Sequence, residues 1–197
     1  MTDLRLPFSG DEAADRLLED DPLALLIGMV LDQQIPLEKA FHSPLDLKHR
    51  MAGRLDAKAI ADADPDGLAT TFSTPPALHR FPASMSKRVQ ELCRHLVDEF
   101  GGRADAVWTE AADGADLLKR VKSLPGFGDQ KAKIFVALLG KRLAAAPPGW
   151  EDAAGEYGPP GTFKSVADID GPDSLARVRA YKKDMKAAAK AKAAAKD

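Results

Sequence analysis

The stretch LLKRVKSLPGFGDQKAKIFVALLG, residues 117–140, decides the fold class of this chain. On both sides of its centre, apolar residues recur every three or four positions, which is the period of an α-helix. Between the two helical patterns, residues 124–128 (LPGFG) contain one proline and two glycines and predict a tight turn. We expect this turn to be too tight for a Cβ atom at either Gly126 or Gly128, and the backbone there to approach another surface closely.

The start of the second helix predicts a phosphate-binding site. The first N–H groups of a helix have no intrahelical partner and, together with the helix dipole, can hold an anion. Here these groups lie near Gly128 and Gln130, with Leu124 leading into the turn and Lys131 and Lys133 just beyond it as charge partners. The alternative is a glycine turn between two helices that binds nothing. The turn with its flanking helices resembles the helix-hairpin-helix motif, which implies DNA binding.

Helical periodicity extends over nearly all of the chain, and no segment alternates apolar and polar residues as a strand does. Residues 22–34 (PLALLIGMVLDQQ) are apolar nearly all round and predict a central, buried helix opened by Pro22. Residues 86–100 carry an apolar stripe at helical spacing, with Ser86 as the expected cap. The chain is therefore predicted to be all-α.

The composition is that of a soluble globular protein, with 197 residues, 45% of them hydrophobic and 29% charged. The single cysteine, Cys93, excludes an intramolecular disulfide and a cysteine-based zinc or iron–sulfur site. The first residues contain no signal-peptide core, and the longest apolar run, residues 23–31, is far short of the roughly 20 residues that a membrane span needs. We expect a cytoplasmic protein without a membrane partner.

The formal net charge of −2 hides an uneven distribution. Residues 177–197 contain eight basic and two acidic residues, a net charge of +6, whereas residues 1–176 contain 20 basic and 28 acidic residues, a net charge of −8. The end of the chain, KAAAKAKAAAKD, favours a helix but has no apolar face. It is either a solvated helix or a polybasic arm that adds sequence-independent attraction to phosphates.

Two further segments extend the resemblance beyond the hairpin. Residues 23–41 (LALLIGMVLDQQIPLEKAF) and residues 86–128 are similar to core helices of the helix-hairpin-helix (HhH-GPD) DNA glycosylase superfamily, so that the similarity covers about residues 20–152. The resemblance implies a two-lobed helical bundle with a cleft between the lobes. It also implies that a nucleotide is rotated out of the duplex and its N-glycosidic bond is cut.

On this basis, residues 1–176 are predicted to form one glycosylase domain, with the hairpin at 116–143, and residues 177–197 to form a basic Ala/Lys-rich tail. The expected substrate is double-stranded DNA containing a damaged base, bound by a monomer at the nucleoid. No organic cofactor and no metal site are expected from the residues. A monovalent cation at the hairpin backbone is implied by the resemblance alone.

The resemblance also implies an essential aspartate, because a negative charge stabilises the oxocarbenium character that develops when the glycosidic bond breaks. Its window falls on residues 148–150, which contain no acid, within a segment, residues 147–161, where eight glycines or prolines predict a long irregular loop. Glu151 and Asp152 follow immediately, and we favour Asp152 by residue type. The alternative is that both acids are loop surface and the catalytic acid has been lost.

In family members that also nick the strand, a lysine stands where this chain has Gln130, and Lys131 comes one residue later. One residue on a helix is a rotation of about 100°, so Lys131 is expected to face phosphate or solvent. The prediction is a monofunctional hydrolase without lyase activity, most similar to the alkyl-purine glycosylase branch, which lacks both the lysine and the iron–sulfur cluster.

Three more side chains are candidates for the base pocket. Gln33 and Gln34 could fill the gap left by an extruded base, and Trp150 could stack on that base. Each has a structural alternative, as a polar helix end or as a tryptophan packed on the body of the protein. The rival functions are a non-catalytic DNA-binding protein that has lost the acid and, less favoured, a protein-interaction module.

Overall fold

The computed structural model describes residues 5–194, and within that range the chain is all-helical, as the sequence predicts. A π-helical turn (Leu139–Leu143) extends the ninth helix, and two 3₁₀ turns lie at Gly155–Tyr157 and Val166–Asp168. The described residues form eleven α-helices, which are α1 (Glu12–Asp20), α2 (Pro22–Leu31), α3 (Leu37–Arg50), α4 (Ala57–Ala61), α5 (Pro65–Ser73), α6 (Pro82–Phe100), α7 (Ala106–Thr109), α8 (Gly114–Ser123), α9 (Asp129–Leu138), α10 (Trp150–Ala154) and α11 (Pro172–Ala194).

The central helix is α2, and its sequence explains both its position and its ends. Asp21 caps it by accepting the backbone N–H groups of Leu23 and Ala24, and Pro22 occupies the first turn, where a missing N–H costs nothing. Every residue after Pro22 is buried, which confirms the predicted central helix. The helix ends at Leu31, earlier than the sequence pattern predicts, because the chain turns polar from the next residue onward.

The more extensive helix contacts fall into two groups. In the first group α6 packs on α4 and α5, and α3 packs on α1 and α2. In the second group α10 packs on α8 and α9, and α11 and the π turn pack on the 3₁₀ turn Val166–Asp168. One continuous apolar core runs through both groups. They meet where the turn before α9 lies against α2 and α6, since Gly126 packs beside Val30 and Arg88.

Two local predictions differ from the structure. Helix α6 begins at Pro82 rather than after Ser86, whose hydroxyl instead donates to the carbonyl of Ala83 at 2.9 Å inside the first turns. Proline at the first helical position is preorganised for a helix start, and it displaces the serine cap. The segment 147–161 is not irregular throughout, because it contains α10 and a 3₁₀ turn.

The C-terminal helix α11 is docked at its start and exposed later. Val178 is buried, the Arg177 guanidinium lies 3.6 Å from the centre of the Phe163 ring, and Arg179 pairs with Glu38 on α3. The predicted boundary between domain and tail, at residues 176 and 177, falls inside this helix. Residues 195–197 of the predicted tail lie outside the described range. Within residues 5–194, the helices are too short or too polar to cross a lipid bilayer.

Candidate nucleic-acid interface and cavity

The helical hairpin predicted from LPGFG is formed by α8, a tight turn and α9. The N–H of Phe127 donates to the carbonyl of Leu124 at 3.1 Å and closes the turn. Both of these side chains are buried, so the turn rests on the core. Asp113 caps α8 by accepting the N–H of Asp116 at 2.8 Å. The local sequence therefore determines the two helices and the turn between them.

The two glycines of the turn have different roles. Gly126 has a φ of +91°, and a Cβ there would lie 3.2 Å from Arg88 Cδ and from Val30 Cγ2. Gly128 has a φ of −73°, and a Cβ there would meet no atom within 4 Å. The expectation that neither position accepts a Cβ is therefore correct for Gly126 and wrong for Gly128. Gly128 instead faces open space at the start of α9.

The first turn of α9 combines open N–H groups with a cluster of charges. No side chain within residues 5–194 caps this helix, so its first N–H groups stay available to an anion. The Asp129 carboxylate lies 2.8 Å from the ammonium groups of both Lys122 and Lys133. These two hydrogen-bonded ammonium groups lower the pKa of Asp129 to about 2. Lys133, predicted as a phosphate partner, is thus paired with an acid of its own helix.

Lys131 points into the protein rather than toward solvent, which corrects the predicted orientation. Its ammonium donates to the carbonyl of Met29 at 2.6 Å and is 3.4 Å from the carbonyl of Val30, both in the last turn of α2. Carbonyls at the end of a helix lack intrahelical donors, and packing of α9 beside α2 brings the lysine to them. Burial lowers the pKa of Lys131 to about 8, although the nearby Asp32 opposes this shift.

A cavity of about 220 Å³ lies at the junction of the two helix groups. Asp32, which follows the last residue of α2, contributes a half-buried carboxylate to it, and burial raises the pKa of that carboxylate. The other lining residues come from α2, α9, the turn before α11 and α11 itself, and are Met29, Gln130, Lys131, Ile134, Ser165, Val166 and Lys182. No motif in the sequence singles out Asp32. The sequence feature that could have pointed to Asp32 is its position directly after nine consecutive apolar or glycine residues, residues 23–31.

Gln33, Gln34 and Gln130 lie in three different environments and do not line one common pocket. The amide of Gln33 donates to the Val30 carbonyl at 3.0 Å and its oxygen accepts from Arg88 at 3.2 Å, so it joins the end of α2 to α6. Gln34 is exposed and has a φ of +57°. The amide of Gln130 donates to the hydroxyl of Tyr157 at 2.9 Å, which orients it at the mouth of the cavity.

The two predicted catalytic acids lie in the first turn of α10, and both are exposed. Asp152 lines a groove of about 540 Å³ against α8, beside Lys119 and Lys122. Glu151 lines a separate cavity of about 390 Å³ under the following segment. Neither acid lines the cavity of Gln130. Helix α10 packs Ala154 and Trp150 against the core, and its exposed face carries Glu151 and Asp152.

Trp150 packs against the π turn that follows α9. A Cβ on Gly140 would lie 2.3 Å from the indole ring, so the ring lies directly on this backbone. The indole lines the same cavity as Glu151 and Lys141. The packing role that the sequence left open is therefore present, while stacking of Trp150 on a base remains a prediction.

Asp168 is a buried acid whose carboxylate is fully engaged. It accepts the ammonium of Lys141 at 2.6 Å and the backbone N–H groups of Lys164 and Ser165 at 2.9 and 3.2 Å. The Thr162 hydroxyl adds a longer contact at 3.3 Å. This carboxylate holds together the segment that leads into α11.

The monovalent cation at the hairpin stays a prediction. The carbonyls of Val121 and Leu124 each accept a backbone N–H at 3.1 Å, which uses one lone pair of each oxygen. In the described part of the chain, histidine, cysteine and acidic side chains form no cluster of three that could hold a metal ion.

Comparison with known proteins gives one match. A family model described as HhH-GPD superfamily base excision DNA repair protein matches residues 27–195. The match includes the central helix from Ile27 onward, the hairpin and the cavity residues. No curated protein and no solved structure matches the chain significantly.

Proposed function

The chain belongs to the HhH-GPD superfamily of base excision DNA repair proteins, and we propose that it is a monofunctional DNA glycosylase. It would bind double-stranded DNA, extrude a damaged nucleotide and hydrolyse its N-glycosidic bond. The observation that carries the proposal is the open, uncapped start of α9 at Gly128, next to Gln130 at the mouth of a cavity.

The hairpin would bind the phosphate backbone at the start of α9. Gly128 leaves the first N–H groups of this helix accessible, and the helix dipole favours an anion there. A phosphate in this position would displace Asp129 from Lys122 and Lys133, whose ammonium groups are then free to pair with the DNA. Binding at one point by backbone amides fits a protein whose main body is acidic.

The residues at the cavity support the proposed absence of lyase activity. Schiff-base formation on a sugar needs a neutral amine that is free to attack. Gln130 has no amine, and the Lys131 ammonium is bound to the carbonyls of Met29 and Val30. Trapping with borohydride during turnover is therefore expected to yield no covalent protein–DNA adduct, and an adduct would contradict the monofunctional assignment.

A second candidate function is a DNA-binding protein without catalysis. It is favoured by the exposure of Asp152 and Glu151, neither of which lines the cavity of Gln130. Such a protein would keep the hairpin and the basic helix α11 and would bind damaged and undamaged duplexes without cutting either.

The two functions are separated by release of free base. The full-length protein is incubated with duplexes that carry uracil, hypoxanthine, an alkylated purine or an oxidised base, with the undamaged duplex as the control. The glycosylase is expected to release at least one of these bases, and the alkylated purine is tested first because of the branch that the sequence resembles. Binding to every duplex without release from any would establish the second function.

The sequence-based prediction that Asp152 is the catalytic acid is tested in the same assay. Replacement by Asn keeps the size of the side chain and removes its charge. Loss of base release in Asp152→Asn, with unchanged DNA affinity, would support the prediction, and undiminished release would remove it. The function itself does not depend on which carboxylate serves the reaction.

A further inference from the structure

The carboxylate of Asp32 lies in a cavity and is not engaged in holding the fold together. It is half-buried at the end of α2, and it accepts no hydrogen bond and forms no ion pair with any residue between 5 and 194. Its own backbone N–H donates to Gly28 at 2.9 Å, which fixes the position of the residue after the helix. Because its oxygens have no partner in this described range and still reach solvent, the carboxylate is available to a ligand in the cavity. Ionisable groups whose pKa is shifted by burial cluster at functional sites.

The other acids near this region do not share these properties. Asp168 is saturated by Lys141 and by backbone N–H groups, and it is almost wholly buried. Asp152 and Glu151 are exposed and line other cavities. Asp32 is therefore the acid that shares a cavity with Gln130 of the hairpin helix.

The charged groups around Asp32 come from α3, α9 and α11. Glu38 of α3, paired with Arg179 of α11, lines a neighbouring cavity together with Asp32. Burial raises the pKa of Asp32, and the ammonium groups of Lys182 of α11 and Lys131 of α9, which line the cavity, oppose part of this rise. The positive charge of Arg88 on α6 contributes to lowering the pKa of Lys131. Lys131 is held in place by the α2 carbonyls, whereas Lys182 is exposed and free to pair with a phosphate of an extruded nucleotide. The volume of about 220 Å³ is below the roughly 300–1,000 Å³ of pockets for drug-sized ligands and suits a smaller group.

We propose that Asp32 is the catalytic carboxylate of this cavity, serving in place of Asp152 or Glu151, and that Lys131 is a positioning residue beside it. This assignment rests on the proposed glycosylase function. The cavity would receive the sugar of the extruded nucleotide, and the Asp32 carboxylate would face the positive charge that develops on that sugar.

The reaction consumes one water molecule. The bond between C1′ and the base nitrogen breaks, and its electron pair leaves with the base. The oxygen of water then forms a bond to C1′. The proton lost by the water passes to the Asp32 carboxylate and, through solvent, to the departed base, so that Asp32 is regenerated. Stabilisation and water activation by one carboxylate together require it to be ionised and close to the sugar.

The first test compares Asp32→Asn with a matched control, Asp98→Asn, in single-turnover assays on the duplex from which the wild-type protein releases a base. Asp98 is exposed on α6 and does not line the cavity of Asp32, so the same chemical change is made outside the site. We expect Asp32→Asn to slow release by about 100-fold or more, the effect of removing a general base, with DNA affinity and melting temperature unchanged. Release by Asp32→Asn at the wild-type rate would overturn the assignment.

The second test does not need turnover. It compares binding of a duplex with a cationic pyrrolidine abasic analogue and a duplex with a neutral tetrahydrofuran analogue. We expect the wild type to prefer the cationic analogue by at least about tenfold, as for a transition-state mimic, and Asp32→Asn to lose this preference. A preference that persists in Asp32→Asn, or that is absent from the wild type, would refute the role of Asp32.

The two tests distinguish failure of this inference from failure of the proposed function. If the wild type prefers the cationic analogue through Asp32 but releases no base, Asp32 forms a binding site and the proposed glycosylase function is wrong. If the wild type releases a base and Asp32→Asn does so at the same rate, the glycosylase function holds and the catalytic role of Asp32 is wrong. A protein that binds no duplex would remove both.

The positioning role of Lys131 is tested by the pH profile. Its ammonium lowers the pKa of Asp32, so Lys131→Gln raises that pKa. The acid limb of the release rate is therefore expected to move to higher pH in Lys131→Gln, because Asp32 must be ionised. A slower rate with an unmoved acid limb would assign Lys131 a merely structural role.

Discussion

At the residue scale, Gly126 and Gly128 separate what folds the hairpin from what binds a ligand. Gly126 has a left-handed backbone conformation, and a side chain there would press on Val30 and Arg88. Gly128 has an ordinary backbone conformation and an open surface. The same substitution at the two positions therefore probes stability at one and binding at the other.

Gly126→Ala is expected to destabilise the protein by about 1–3 kcal/mol, because the left-handed conformation is strained for alanine. Gly128→Ala is expected to change the free energy of unfolding by less than about 1 kcal/mol. Its methyl group would instead keep a phosphate away from the first N–H groups of α9, and loss of one such bond weakens DNA binding by about tenfold or more. Denaturant unfolding and binding titrations measure the two effects.

Each glycine variant is the control for the other. A Gly128→Ala variant that binds DNA as tightly as the wild type would show that the hairpin backbone does not contact phosphate. A stable Gly126→Ala variant would show that the turn can adopt another conformation.

At the scale of the element, the first turn of α9 presents an acid and two lysines together. Asp129 suits the helix dipole, and Lys122 and Lys133 keep it ionised. Because both ammonium groups are paired with Asp129, they are less available to an anionic ligand. The acid therefore stabilises the start of α9 and lowers its affinity for anions.

Asp129→Asn is expected to bind DNA more tightly and with a steeper salt dependence, because it frees Lys122 and Lys133 for phosphate contacts. Each added contact steepens the slope of log affinity against log salt by about 0.9. Binding titrations between low and moderate salt give this slope for the wild type and the variant.

The matched control for this change is Asp66→Asn, which removes an exposed acid from the first turn of another helix, α5. An equal gain in affinity in both variants would attribute the effect to net charge alone. Weaker binding by Asp129→Asn would mean that the acid itself contributes to the interface.

At the scale of the whole molecule, α11 connects the basic end of the chain to the site. Its first part is docked through Val178 and the Arg179–Glu38 pair, Lys182 reaches the cavity of Asp32, and residues 183–191 are exposed. The positive charge is thus carried on a helix that passes the cavity at Lys182, while the rest of the chain is acidic.

Removal of residues 182–197 is expected to weaken DNA affinity and to flatten its salt dependence, because fewer ammonium groups contact phosphates, without abolishing base release. Removal of residues 183–197 keeps Lys182 and serves as the matched variant. The shorter truncation is expected to retain more affinity, and binding titrations at several salt concentrations measure the difference. An unchanged salt slope in both variants would show that this part of α11 is merely solvated.

The local features of the hairpin could be predicted from the sequence because short-range geometry controls them. Helical periodicity predicted α8 and α9, and the LPGFG turn predicted the connection and the lack of room for a Cβ atom at Gly126. The predictions for Ser86 and for segment 147–161 were less successful, since competing caps and short helices depend on small energy differences.

The sequence by itself determined the all-α class, the buried central helix and the hairpin, because periodicity and turn residues act within a few positions of the chain. The tertiary structure alone decided that Lys131 meets Met29, 102 residues away, and that Asp32 and Gln130 share a cavity. Helix rotation fixed only the direction of Lys131 relative to its own helix. What it meets there depends on how α9 packs against the end of α2, and that packing is set by burial of apolar surface over the whole core.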